Sequence, residues 1–167
     1  MIIKERLLSK DLLNHCNNVR SLCDRLYKGP GKSALLRAAE IHDIGKFYIS
    51  DDVLCSDHPL SLTERMCVDM HPLYGYWDAK ANGEDEIVCQ LILLHHGISK
   101  VSQPSLIAGN MAKVVRLFPY LMAADIYSAV REDRSYHSSR THAEAIQIVR
   151  VVPDIPDNIK TMLEQLE

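Results

Sequence analysis

A histidine, an aspartate and a lysine stand close together at the end of the apolar run AAEIHDIGKFYI, residues 38–49. One metal ion could satisfy the neutral nitrogen of His42 and the hard oxygen of Asp43, which would explain why both interrupt an apolar segment. The alternative is a helix C-terminus, in which Gly45 follows the last turn, His42 lies near the negative end of the helix dipole and Lys46 lies beyond it. These four residues alone do not distinguish a metal site from a helix C-terminus. The positions of the other histidines distinguish them.

Several further side chains that can bind metal fall on apolar faces or at the ends of apolar runs. Each alone has a simpler explanation, such as a hydrogen-bonded core histidine, a capping histidine at a helix break, or an aspartate paired with a core arginine. One metal site would explain them all together, and we therefore favour it. The residues are His15, with Asp11 four positions earlier on the same helix face, His71, His95, His96 and Asp125.

The composition describes an ordinary soluble chain. At 167 residues, with 47% hydrophobic and 25% charged residues, it is most simply one domain spanning 1–167. The formal net charge of −3 leaves no basic footprint for bulk nucleic acid, and no apolar run is long enough for a membrane span. The five cysteines include no C-x-x-C pair, so we expect reduced, mostly buried thiols in a cytoplasmic protein.

The apolar periodicity predicts six or seven helices and no strand. We expect loops over 46–60 and 98–110, a kink or restart at Pro72 inside the third helix, and surface positions for His58, His137 and His142. The predicted helices run over 10–27 (with Ser9 as N-cap), from after Gly31 to about 44, over 62–79 and 84–96, from about Pro119 to 133, from Thr141 to Pro153, and after Pro156.

The order H…HD…H…HH…D resembles the HD-domain metal-dependent phosphohydrolases, an all-helical superfamily. The similarity covers nearly the whole chain and is greatest to the HD-GYP subfamily of cyclic-dinucleotide phosphodiesterases. HDIGK at 42–46 is similar to the motif of that subfamily, Glu64 to Gly75 is similar to its E…HP…G segment, and 125–129 to its D-x-Y-D-A element. The resemblance implies an all-α fold, a single HD-domain helical bundle with a buried metal site.

The same resemblance implies a ligand set for two divalent ions. Asp43 would bridge them, and a third ion would be added if Asp11 serves where three-metal members carry Glu. Mixed imidazole and carboxylate ligands favour Fe or Mn, with Zn, Ni and Co as alternatives, over Mg. The implied ligands are His42, Asp43, His71, His95, His96 and Asp125, together with His15 and Asp11 on the leading helix.

Three departures separate the chain from the HD-GYP pattern. The histidine pair is followed by Gly97 and ISKVSQPSLIAG rather than by Glu and a Gly-Tyr-Pro loop. Ser128 replaces the second Asp of D-x-Y-D-A, and Ser135 replaces the proline of an R-P-Y element that begins at Arg134. These differences concern the substrate side of the subfamily pattern more than its metal ligands.

The expected chemistry is attack on a phosphodiester by a hydroxide that bridges the two ions. Asp43 and Lys46 are the expected catalytic residues, because Lys46 would stabilise charge on the phosphate as the pentacovalent state forms. Lys46 would also contact the substrate. Lys100, Arg131 and Arg134 are candidates to hold a second phosphate or a base.

The function expected from these observations is metal-dependent hydrolysis of a cyclic dinucleotide resembling c-di-GMP, or of a related phosphodiester. The first alternative is an HD-type phosphomonoesterase that acts on a nucleotide. The second is an inactive signalling module that binds metal and nucleotide. A small nucleotide is the expected partner in each case, and a homodimer is a further expectation.

Overall fold

The computed structural model describes residues 10–107, 111–132 and 139–166, with side chains of the first helix from Leu12 onward. Within those ranges the structure is all-α, as predicted, and contains no strand. Three short 3₁₀ turns lie at Ile44–Tyr48, Ile98–Lys100 and Pro104–Leu106. The helices are α1 Lys10–Leu26, α2 Lys32–Ile41, α3 Asp51–Leu54, α4 Leu62–Asp69, α5 His71–Ala81, α6 Glu86–Leu94, α7 Ala112–Arg131, α8 His142–Arg150 and α9 Asp157–Glu164.

Helix α6 lies at the centre of the bundle. Seven consecutive side chains, Val88 to Leu94, are buried, which requires neighbours on every side of the helix. Helices α2, α5 and α7 supply that cover. The C-terminus of α6 therefore lies inside the core, and His95, the next residue, has 0% exposure.

Helix α1 buries one stripe of residues spaced three and four apart, as its periodicity predicts. Cys16, Val19, Cys23 and Leu26 pack against the core, and His15 lies on the same buried face with 3% exposure. The main partners of α1 are α2 and α7, and α9 also contacts it. This packing brings the middle of α1 next to the middle of α7.

The predicted break at Pro72 is confirmed. Helix α4 begins with the expected capping box between Ser61 and Glu64 and ends at Asp69, and α5 begins at His71 with Pro72 in its first turn. A proline in the first helical turn costs little, because that amide has no intrahelical acceptor. His71 is therefore held where one helix ends and the next begins.

Helix α7 begins seven residues earlier than predicted, at Ala112 rather than near Pro119. Val114, Leu117 and Phe118 extend its buried stripe, and their burial outweighs the backbone hydrogen bond that Pro119 cannot make. That lost bond involves the carbonyl of Val115, on the solvent side of the helix, where its side chain is 48% exposed.

The segment after α2 is more ordered than the predicted loop over 46–60. Helix α2 ends at Ile41 rather than near 44, the chain tightens into the 3₁₀ turn Ile44–Tyr48, and α3 follows with two aspartates in its first turn. Both elements are too short for an apolar period to appear in the sequence.

Within the described ranges, none of the helices combines the length and apolar character that a bilayer crossing needs.

Candidate metal centre

Three histidines at helix boundaries form one compact group, which we call the histidine cluster. It consists of His71, at the start of α5, and His95 and His96, which follow α6. One nitrogen of each lies within 4.8 Å of the others, and the Nε2 atoms of His71 and His95 are 3.1 Å apart. Three convergent imidazole nitrogens can bind one transition-metal ion.

A second group, the mixed cluster, lies beside the first and contains His15, His42 and Asp125. The Oδ1 atom of Asp125 is 3.0 Å from His15 Nε2 and 3.6 Å from His42 Nε2. Helices α1 and α7 contribute one residue each, and the end of α2 contributes His42. The structure thus brings together every described residue that the family resemblance names as a ligand, apart from Asp43, in one of two clusters.

Asp43 stands between the clusters and presents one oxygen to each. Its Oδ1 is 3.2 Å from His71 Nε2, whereas its Oδ2 is 3.7 Å from His42 Nε2 and 4.0 Å from His15 Nε2. A carboxylate in this position can donate one oxygen to an ion in each cluster. We refer to the two clusters and Asp43 together as the metal centre.

Two glycines allow Asp43 to lie this close to the histidine cluster. A Cβ on Gly45 would collide with the backbone carbonyl of His71, and one on Gly75 would lie 3.3 Å from the Gly45 nitrogen. The 3₁₀ turn that follows Asp43 therefore packs directly on the first turns of α5. The sequence HDIGK owes its glycine to this close contact between two backbones.

Three of the histidines are oriented by the backbone of the helix that ends beside them. The Nδ1 of each donates to the carbonyl three residues earlier. A carbonyl at a helix end is available for this bond because it lacks an N–H donor from its own helix. In its neutral form each ring would then present an unprotonated Nε2 to the centre, as a ligand must. The bonds are His42 to Ala39 at 2.9 Å, His71 to Val68 at 2.6 Å and His95 to Ile92 at 2.6 Å.

His15 differs because it lies inside α1, where the nearby carbonyls already accept helical hydrogen bonds. Its Nδ1 instead contacts Glu132 Oε2 at 2.9 Å, just beyond the end of α7. The other oxygen of Glu132 accepts from Asn18 at 2.9 Å and from Ser128 at 2.6 Å. Sequence reasoning missed Glu132, although its spacing of seven residues from Asp125 places both on one face of α7.

The burial of the centre fits a bound cation. His42 has 0% exposure, and its Nε2 has no hydrogen-bond partner among the described residues. Asp43 is only 2% exposed. An unpartnered buried nitrogen beside a buried carboxylate is costly in the absence of a ligand, and a divalent ion would satisfy both.

The electrostatics favour the protonation states that ligands need at Asp43 and His95, but they favour the protonated form of both histidines in the mixed cluster. Burial raises the pKa of Asp43, but Lys46 and His42 outweigh it and hold that pKa well below its ordinary value. The Lys46 Nζ lies 2.5 Å from Asp43 Oδ2. Burial lowers the pKa of His95 well below its ordinary value, and the neighbouring His96 and His71 lower it further. An ionised carboxylate and a neutral imidazole are the forms that bind metal.

Burial lowers the pKa values of His42 and His15, yet Asp43 and Asp125 raise that of His42 well above its ordinary value, and Asp125 and Glu132 raise that of His15. A cation in the mixed cluster would have to displace those protons.

A cavity of about 270 Å³ opens onto the centre, and we call it the first cavity. Its walls include Asp43, Lys46, His96 and Asp125. Lys46 is half-buried there, with 20% of its side chain exposed, so its ammonium group lies where an anionic ligand would enter. The cavity gives small molecules access to both clusters.

The remaining predicted residues have mixed outcomes. Lys100 is exposed and lines a neighbouring cavity with His96, whereas Arg131 donates to the Arg140 carbonyl at 3.1 Å and lines neither cavity. The prediction of a surface position is confirmed for His58 and wrong for His142, which is half-buried with its Nδ1 2.8 Å from the Tyr127 hydroxyl. The side chain of Asp11 and the whole of Ser9, Arg134, Ser135 and His137 lie outside the described residues.

A search of solved structures found a fold match in the crystal structure of the HD domain of the L. monocytogenes phosphodiesterase PgpH. The match has a TM-score of 0.62 and 16% sequence identity, and it covers 91% of this chain and 87% of that one. At this identity the similarity shows the fold alone.

A curated relative is the 3′3′-cGAMP-specific phosphodiesterase 1 of Vibrio cholerae, which is 24% identical over 148 residues. The alignment covers 85% of this chain but 34% of that protein, so the chain spans about a third of the relative's length. The family model of the HD domain matches residues 12–130, a range that contains both clusters and Asp43. The chain therefore belongs to the HD domain family.

Proposed function

We propose that this chain hydrolyses a phosphodiester bond in a cyclic dinucleotide or a related nucleotide, using divalent metal ions held at the metal centre. The observation that carries the proposal is the position of Asp43 between the two clusters, with one oxygen toward each. Paired cation sites that share a carboxylate suit reactions in which both the attacking and the leaving oxygen of a phosphoryl group need stabilisation.

The chain's own residues define where each part of the reaction would take place. The histidine cluster would hold one ion and the mixed cluster the other, and bound ions supply Lewis acidity and a nucleophile generated from water. Lys46, on the wall of the first cavity, orients the phosphate and stabilises the charge that develops on it. The buried position of Asp43 excludes bulk water from the oxygens that face the clusters.

The donor set favours a transition metal. The two clusters and Asp43 offer imidazole nitrogens and carboxylate oxygens, and six of these seven described residues are buried or half-buried. Mg²⁺ binds such a mixed donor set poorly. We therefore propose Fe or Mn first, with Zn, Ni and Co as alternatives. Two ions match the two clusters.

The substrate class rests on the relatives. Two similar proteins are described as phosphodiesterases, and the name of the Vibrio protein specifies 3′3′-cGAMP. The HD-GYP resemblance points to the same chemical class through c-di-GMP. We infer a cyclic dinucleotide as the substrate class and leave the choice among its members to experiment.

The test is product analysis by chromatography after anaerobic incubation with Mn(II) or Fe(II). The substrates would be cyclic dinucleotides, linear dinucleotides and mononucleotides, and the variants Asp43→Ala and, as a matched control, the exposed Asp157→Ala on α9. We expect opening of a cyclic dinucleotide by the wild type and the control, and none by Asp43→Ala. Release of terminal phosphate alone would identify a phosphomonoesterase instead, and no turnover by metal-loaded protein would favour a binding module.

A further inference from the structure

A second cavity, of about 180 Å³, lies beside the metal centre at His96. It is lined by Asp69 at the end of α4, Pro72 in the first turn of α5, Leu93 of α6, His96, and Lys100 of the 3₁₀ turn at 98–100. His96 also lines the first cavity, so the two cavities share this residue as a wall. The two cavities are therefore neighbours at His96, with Lys46 lining the first and Lys100 lining the second.

Two residues of opposite charge, Asp69 and Lys100, line the second cavity without forming an ion pair with each other. Asp69 and Lys100 are both exposed, and neither side chain forms a hydrogen bond or an ion pair within the described part of the chain. Asp69 is also the last residue of α4, where a carboxylate faces the negative end of the helix dipole and weakens the helix. Fold stability therefore does not explain why an aspartate stands at position 69, whereas contact with a ligand would.

The rest of the lining is apolar or aromatic. Pro72 and Leu93 are buried and form apolar surface, and the imidazole of His96 adds an aromatic face. Such a surface suits a planar heterocycle. A second phosphate, the other group that Lys100 was expected to hold, would be repelled by Asp69. The pair of charges thus favours a neutral group that has both hydrogen-bond donors and acceptors.

We propose that the second cavity is a nucleobase subsite that selects guanine. The carboxylate of Asp69 would accept from the N1–H and N2 amino groups of the base, and the ammonium of Lys100 would donate to O6 or N7. Adenine offers the carboxylate only one amino group and has no carbonyl for the lysine, so it satisfies fewer of these groups. The inference depends on the proposed function only in that the ligand is a nucleotide.

The test is isothermal titration calorimetry of the metal-loaded full chain with 5′-GMP, 5′-IMP and 5′-AMP. IMP keeps N1–H and O6 but lacks the N2 amino group, so we expect affinity to fall from GMP to IMP to AMP. A carboxylate that reads two donors should give GMP an advantage of about tenfold or more over AMP. Inorganic phosphate serves as the probe without a base.

Two variants with matched controls locate the effect. Asp69→Asn should remove most of the preference for GMP, and Lys100→Met should weaken GMP binding with little effect on inorganic phosphate. The controls are Asp157→Asn on α9, a helix that packs against α1, α7 and α8, and Lys113→Met near the start of α7. All four positions are exposed or at a helix end, so circular dichroism should show an unchanged fold.

The outcomes separate this inference from the proposed function. Equal binding of GMP and AMP, a preference for AMP, or an unchanged preference in Asp69→Asn would overturn the guanine subsite, even if the wild type cleaves a cyclic dinucleotide. Stronger binding of inorganic phosphate by Asp69→Asn, together with no base preference, would instead assign Lys100 to a phosphate. A GMP preference that depends on Asp69 would support the subsite even if no diester were hydrolysed.

Discussion

Glu132 should control metal affinity although it lies outside both clusters. It accepts hydrogen bonds from three side chains of the described residues: His15 Nδ1 contacts one oxygen at 2.9 Å, and Asn18 and Ser128 donate to the other at 2.9 and 2.6 Å. The substitution Glu132→Gln keeps the shape of the side chain but leaves one acceptor oxygen and one NH₂ group. At least one of the three donors to Glu132 then faces the new NH₂ group, which is also a donor.

The cost can be estimated from the role of such partners in metal sites. Loss of a hydrogen bond that orients a ligating histidine lowers metal affinity by about 10–100-fold, or roughly 1.4–2.7 kcal/mol. We expect the loss of affinity at His15 to fall within that range, because its ring is 3% exposed and water does not easily replace the lost partner. We expect Glu132→Gln to weaken binding of the ion in the mixed cluster by this amount.

Asn18→Ala is the matched control, since it removes one donor to Glu132 and leaves the contact with His15 unchanged. Loss of this exposed contact should change metal affinity by less than about twofold. The assay is competition with a chromophoric chelator, using Zn(II) or Co(II), and the absorption of bound Co(II) would report altered ligation. A purely structural role would lower the melting temperature of the metal-free protein and leave the affinity unchanged. Equal affinities for the wild type and Glu132→Gln would refute the reasoning.

Three other predictions test the packing and capping of the fold. Gly45→Ala pushes a methyl group into the backbone of α5, so the free energy of unfolding should fall by about 3 kcal/mol or more in urea titrations, with loss of metal binding. In the native protein, two of the five thiols, Cys55 and Cys67, should react rapidly with an aromatic disulfide, because the other three are buried. Thr141→Ala should lower Tm at pH 7 by about 2–4 °C. Hydrogen bonds from Thr141 lower the pKa of Glu144, so this capping contribution is present above the ordinary carboxyl pKa and is lost in more acidic solution, and the difference in Tm should shrink at pH 3.

Much of the metal centre could be predicted because its histidines sit at local sequence signals. His42 and His95 each end an apolar helix, and His71 precedes a proline that must begin a new one. A histidine at such a boundary carries its own orienting carbonyl three residues earlier. The local sequence therefore contains both the ligand and the group that aims it.

What the sequence did not reveal depended on contacts between distant segments. The start of α7 was missed because a buried Pro119 reads as a helix start, and only the burial of the preceding turn shows that the helix continues through it. Glu132 was missed because it stands in the charged run REDR, residues 131–134, and its seven-residue spacing from Asp125 does not by itself distinguish it from a solvated charge. Lys100 was a candidate for either a phosphate or a base, and our proposal of a base rests on Asp69, which lines the same cavity.

The two clusters therefore differ in how they are built, and the difference has a consequence for metal binding. In the histidine cluster, His71 and His95 are aimed by carbonyls of their own helix ends, so they are oriented once those helices form. In the mixed cluster, His15 is aimed by a carboxylate 117 residues away in the sequence, and its geometry depends on the packing of α1 against the end of α7. Changes near the end of α7 should therefore weaken one ion much more than the other. A Glu132→Gln protein that loses about one equivalent of metal and retains the other would show that the clusters bind their ions separately.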